Sequence, residues 1–207
     1  MYVSIEGLDG AGKTTAIRAI TDILLQQNLD VVCIEDLVSM VREPGGTPLA
    51  EALRDLVKKD HEYETVDAKT ESLIFFAARN QLLTNVVIPE IKKNKIVISD
   101  RCYLSSIAYQ TKEKELVRYL SNSLAIKPDL IIYLDIDPIV GLQRSRSRGE
   151  IDRIEKNHIS FFEEARKIYL EEAANNDFII TVNAEQSIEQ VYNDVQAVFL
   201  NYLANKK

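Results

Sequence analysis

The segment Gly7-Leu8-Asp9-Gly10-Ala11-Gly12-Lys13-Thr14 constrains this chain more than any other. It matches G-x-x-x-x-G-K-[ST] at every position, follows the apolar run 2–6, and precedes a stretch with Ile17, Ile20 and Leu24 on one helical face. A strand, a glycine turn and a helix in that order make a phosphate cradle. The glycines let successive backbone N–H groups turn inward, and the helix N-terminus adds positive potential. Gly7, Asp9, Gly10, Ala11, Gly12, Lys13, Thr14 and Thr15 are therefore the candidates to hold the phosphates of ATP. Lys13 would reach the β- and γ-phosphates, and the Thr14 hydroxyl would bind Mg²⁺.

The rest of the chain repeats the same alternation. Short apolar, β-branched runs at 2–6, 30–35, 95–99, 130–135 and 178–182 read as buried parallel strands. Helical patterns follow the first of them and run over about 66–93, disturbed near Pro89, and over 138–148, 160–175 and 187–204. Alternating strands and helices build right-handed β-α-β units. The expected fold is α/β of the P-loop NTPase kind: a five-stranded parallel sheet, helices on both faces and a short lid. Residues 1–207 read as one domain, with the lid at about 144–156. Stretches 36–48, 59–65 and 146–157 fit neither element, and such loops gather at the carboxyl ends of the strands, where ligands sit.

Composition narrows the function. A net charge of −7 counts against broad nucleic-acid binding, so an anionic ligand needs a local basic site. Four arginines, Arg144, Arg146, Arg148 and Arg153, fall close together and supply one candidate. No apolar run is long enough to span a membrane, and residues 1–6 lack the pattern of a signal peptide. Cys33 and Cys102 are expected to be reduced thiols in a cytoplasmic protein.

Further motifs are ambiguous in isolation. Ile96-Val97-Ile98-Ser99-Asp100-Arg101 is a strand ending in an acid and a base: either a surface ion pair, or an aspartate that helps hold Mg²⁺ beside an arginine that forks onto phosphate. Arg42-Glu43-Pro44-Gly45-Gly46-Thr47 fits a plain turn as well as a clamp for a second phosphate. The arginines of 144–153 suit a solvated face or, given the P-loop, a loop that stabilises a phosphoryl group in transfer. Phe75 and Arg79 share a helical face, which serves core packing or the stacking and hydrogen bonding of a base. Ser106 and Tyr109, three apart, are equally open. His61 and His158 have no metal-ligand partners at suitable spacing.

In their order along the chain these motifs resemble bacterial thymidylate kinase, from residue 2 to about 200. Arg42-Glu43-Pro44-Gly45-Gly46-Thr47, then Asp100-Arg101, then Ser105-Ser106-Ile107-Ala108-Tyr109-Gln110 is specific to that family; the P-loop alone is not. The resemblance implies transfer of the ATP γ-phosphate to dTMP with Mg²⁺, in a cytosolic homodimer. It implies that Asp9 contacts the deoxyribose 3′-hydroxyl or orders nearby arginines, and that Arg42 and Arg101 hold the dTMP phosphate. Phase by phase along the acceptor, Phe75 stacks on thymine, Arg79 reads a base carbonyl, and Ser106 contacts the pyrimidine edge. Tyr109 lies where a ribose 2′-hydroxyl would be, with Gln110 lining the same pocket. Thr14 and Asp100 serve Mg²⁺. With no basic residue inside the P-loop, the chain is similar to the variant with catalytic lid arginines. Arg148 leads, Arg153 and Arg144 follow, and they act beside Lys13 and Asp9. Three features depart from the family pattern: Cys102 in place of an aromatic residue, a short stretch between Gln110 and Pro128, and a long one at 36–41.

Two rival readings are weaker. A kinase for another small acceptor leaves Asp9, Phe75, Arg79 and Tyr109 unexplained. A GTP-driven switch would carry Asn-Lys-x-Asp, but Asn94-Lys95-Ile96-Val97 does not end in Asp.

Overall fold

The computed structural model describes residues 1–26, 31–33, 43–146, 153, 154 and 156–205. Arg42 and Arg148, the Arg146 and Cys33 side chains and the whole stretch 36–41 lie outside them.

The sheet is parallel, in the order β2-β3-β1-β4-β5. Four strands carry it: β1 (Tyr2–Gly7), β3 (Ile96–Asp100), β4 (Leu130–Asp135) and β5 (Ile179–Asn183), with β2 (Val31–Cys33) short and lateral to β3. β1 is central and buried throughout. Its register, Ile5 opposite Asp100 and Gly7 opposite Leu134, brings the P-loop and the end of β3 to one edge of the sheet.

Alternation along β1 divides the two faces. Val3 and Ile5 join the apolar core, while Tyr2, Ser4 and Glu6 point the other way. The Tyr2 ring enters a second apolar cluster with Leu82, Leu83, Val87 and Val97 and sends its hydroxyl to Glu43, and the Glu6 carboxylate lies among buried donors. Helix α1 (Lys13–Gln26) buries Ile17, Ile20 and Leu24 as its periodicity predicts. Helix α2 (Pro48–Lys58) starts at Thr47, whose hydroxyl accepts the Ala50 N–H at 3.2 Å, with Pro48 in its first turn. Helix α3 (Ala68–Leu82) is capped by Asp67.

The helix expected over 66–93 is present over 68–92 and is disturbed ahead of Pro89, as its sequence suggests. After α3 comes a π-helical turn, Leu83–Val87, and then the short α4 (Ile88–Lys92). Pro89 has no N–H to return to the preceding turn, and widening the helix ahead of it accommodates the lost bond.

Three helices escaped the sequence reading: α2, α5 (Tyr103–Tyr109) and α6 (Lys114–Ser123). Residues 103–108 of α5 are all buried, so no polar stripe betrays its period. Helix α7 is described over Pro138–Arg146, with 147 and 148 of its expected span outside the described residues, and α8 (Ile159–Asn175) and α9 (Ile188–Asn205) follow. Of the expected lid, 147–152 and 155 lie outside the described residues. Among the described residues, no helix is long and apolar enough to cross a membrane.

Candidate active site

The P-loop turns sharply between β1 and α1, with the Ala11 N–H donating to Leu8 O at 3.2 Å. Gly10 sits at φ 86°, where a side chain is disfavoured, and a Cβ there would lie 2.0 Å from the backbone oxygen of Gly141 in α7. The contact is mutual, since a Cβ on Gly141 would lie 2.8 Å from the Asp9 carbonyl. Lys13 is buried and folds over the loop, donating to the carbonyls of Gly7 at 3.2 Å and Leu8 at 3.1 Å. Its ammonium is 3.7 Å from Asp9 Oδ1. Thr14 is exposed at the start of α1, Thr15 is half-buried, and Ala11 is buried.

Asp9 joins the P-loop to the end of β3. Arg101 Nη2 donates to Asp9 Oδ1 at 2.8 Å, and its Nη1 donates to Gly7 O and Ser105 Oγ, each at 3.1 Å. Burial disfavours the Arg101 cation, but Asp9 and the neighbouring tyrosines outweigh it, so the pKa stands above the ordinary arginine value. The Arg101 backbone has φ 73°, a left-handed conformation that a side chain resists, and its N–H is fixed by Ile5 O at 2.8 Å. Asp100, buried beside it, accepts the Glu43 N–H on its backbone oxygen at 2.9 Å.

Next to the P-loop opens a cleft. Asp9, Phe75, Arg79, Arg101, Ser106, Tyr109 and Gln110, all picked out in sequence, line it together. Arg79 is 1% exposed and held on three sides: Nε donates to Glu43 Oε2 at 2.7 Å, Nη1 to Ser106 Oγ at 3.1 Å and Nη2 to Cys102 O at 3.0 Å. Its guanidinium lies 4.9 Å from the Phe76 ring centroid, so Phe76 supports Arg79 while Phe75 borders the cleft. Glu43 also accepts the Tyr2 hydroxyl. Burial pushes the Glu43 carboxyl up, and Arg79 pulls it back.

The Tyr109 ring is fixed by Phe161 at 5.7 Å, Tyr169 at 6.2 Å and the Arg101 guanidinium at 5.6 Å, measured to its centroid. Gln110 Nε2 donates to Glu71 Oε1 at 3.1 Å.

Several cleft residues carried no assignment from sequence. Arg54 and Lys58, one turn apart on α2, add two cations. Their helical spacing was the available signal, and it needed α2 to be identified first. Glu43 lay inside a quoted motif, but its partner Arg79 is remote in sequence. Of the lid arginines, Arg144 and Arg153 meet protein acceptors. Arg144 Nη1 donates to Ala184 O at 2.9 Å, whereas Arg153 donates to Val57 O at 2.8 Å and to Glu71, on the α2–α3 side of the cleft.

Among the described residues, no group of three or more His, Cys, Asp or Glu side chains could cage a metal. One exposed hydroxyl, Thr14, and one buried carboxylate, Asp100, suit a cation that keeps its waters and takes phosphate oxygens, as Mg²⁺ does.

A parallel sheet with a P-loop at its central strand, and beside it a cleft walled by arginines and aromatic rings, defines a P-loop nucleotide kinase. The particular family follows from sequence comparison. A family model described as thymidylate kinase matches residues 5–195, and the chain belongs to that family. A thymidylate kinase of Vibrio vulnificus is 48% identical over 95% of this chain and 92% of its own. Another, from Pseudoalteromonas translucida, is 45% identical over 100% of this chain and 98% of its own.

Proposed function

We propose that this chain transfers the γ-phosphate of ATP to dTMP, giving dTDP and ADP. The observation that carries the reading is the single cleft in which Phe75, Arg79 with Ser106, Tyr109 and the Asp9–Arg101 pair adjoin the P-loop. A thymine ring would stack on Phe75. Its carbonyl would meet the Arg79 N–H groups that Glu43, Ser106 and Cys102 leave over. The Asp9–Arg101 pair would offer one cation to the dTMP phosphate and one anion to a sugar hydroxyl, or would order its neighbours. Arg42 would add a second cation.

Catalysis then rests on positioning and charge. The acceptor phosphate is ionised at neutral pH and needs no general base. Lys13 would leave its carbonyl partners for the β- and γ-phosphates. A lid arginine, Arg148 first and Arg153 or Arg144 next, would stabilise charge on the phosphoryl group. Thr14 and Asp100 would hold Mg²⁺, which supplies charge neutralisation on the phosphates. The Tyr109 ring, fixed from three sides, would deny space to a 2′-hydroxyl. A homodimer accords with the exposed Leu49 and Leu56, which share one face of α2, and Leu73 on the adjoining α3. The working compartment would be the cytoplasm.

The test is ADP release from ATP and Mg²⁺ with each common nucleoside monophosphate. dTMP should give the highest kcat/KM, and a higher value for AMP, CMP or GMP would refute the assignment.

A further inference from the structure

Glu6 stands one residue before the P-loop, fully buried, in a strand that is otherwise mostly apolar. Burying a carboxylate is costly unless donors surround it. Here Oε1 accepts the N–H groups of Cys102 at 2.8 Å and Ser105 at 3.0 Å. Oε2 accepts the hydroxyls of Ser105 at 2.7 Å and Tyr169 at 2.8 Å. All three donor residues are themselves buried.

These bonds fix α5 from outside. Its N-cap residue, Cys102, makes no side-chain capping bond, so Glu6 supplies the acceptor for the first turn. They also reach the cleft. With its proton directed at Glu6, the Ser105 hydroxyl presents lone pairs to Arg101 Nη1 at 3.1 Å, and Arg101 in turn holds Asp9. The left-handed backbone of Arg101 persists only where its surroundings enforce it. Ser106 and Tyr109 lie on α5, and Gln110 ends it.

We propose that Glu6 is a positioning residue for the acceptor: it sets α5 and Arg101 relative to the P-loop and touches neither substrate. The proposal rests on dTMP occupying the cleft described above. A carboxylate at Oε2 makes Ser105 donate toward it; a carboxamide there would offer N–H and compete with Arg101 for the Ser105 oxygen.

Steady-state kinetics of the full-length Glu6→Gln protein, varying dTMP and ATP separately, test this. The expected result is a dTMP KM raised about tenfold or more, with the ATP KM within about threefold of wild type. Tyr169→Phe removes one donor outside the cleft and should raise the dTMP KM about threefold. Added to Glu6→Gln it should have little further effect, because the two act through one network. If Glu6→Gln does not fold, Tyr169→Phe carries the same comparison. Equal rises in both KM values, or an unchanged dTMP KM with only a lower melting temperature, would reduce Glu6 to a core contact. Arg101→Ala, measured alongside, separates this proposal from the site assignment. Weakened dTMP binding there, with none in Glu6→Gln, overturns the role of Glu6 alone. No weakening in either overturns the cleft as the acceptor site as well.

Discussion

Two arginines of the lid region have different partners. Arg144 holds the Ala184 carbonyl at the end of β5, and Arg153 bridges Val57 O and Glu71 on the acceptor side. Glu71 also receives Gln110, so Arg153 shares a partner with the cleft wall. Arg148 is the arginine that the family resemblance puts first, and Arg148→Ala should lower kcat by about 10³ or more while each substrate KM changes only a few-fold, the signature of a group acting in the transition state. Arg153→Ala should instead act mainly on the dTMP KM. Separate kcat and KM values for both variants check this, and the reverse pattern would exchange their roles. At this scale the sequence was legible where a residue belongs to a spaced motif, as with Phe75, Arg79, Arg101, Ser106 and Tyr109. It was not legible for Arg54 and Lys58, because a cation on an amphipathic helix looks the same whether it faces water or a cleft. Glu6 was read as part of a strand and no more; its four donors lie 96 to 163 residues away along the chain.

Helix α7 meets the P-loop backbone to backbone, and that contact sets two opposing effects against each other at Gly141. Alanine in a helix interior is ordinarily better than glycine by about 1 kcal/mol. Here the new Cβ would stand 2.8 Å from the Asp9 carbonyl, and overpacking against backbone costs about 1–3 kcal/mol. The steric term wins, so Gly141→Ala should lower the melting temperature and raise the ATP KM. Thermal unfolding with nucleotide titration checks both; a stabilised protein of unchanged ATP KM would mean that α7 shifts freely. Two-sidedness alone did not make an element legible, since α2 and α6, the most sharply divided helices, escaped while more evenly covered ones were read. The half-covered helices α1, α8 and α9 show a stripe, and the strands show β-branched runs between breakers. α5, buried all round, shows nothing but small and apolar residues.

The whole molecule carries a net charge of −7, yet both of its proposed substrates are anions. The cations proposed to receive them are held among carboxylates: Lys13 and Arg101 at Asp9, Arg79 at Glu43. Association of two copies through Leu49, Leu56 and Leu73 would cover apolar surface on the helices that bear Arg54, Lys58 and Phe75. Light scattering should give twice the 23.5 kDa of one chain, and a charged residue in place of Leu56 and of Leu73 should return the single-chain mass. A wild-type protein of single-chain mass would end the dimer reading.

The adjacency of Glu6 and Gly7 on β1 has a mechanical consequence. One residue anchors the acceptor wall and the next begins the donor loop, so both are referred to a single point on the central strand. Sliding or twisting of the sheet displaces the two together, and in their difference the displacement cancels. The gap that the phosphoryl group must cross is thus insulated from the breathing of the scaffold, as a common-mode disturbance is rejected by a balanced pair.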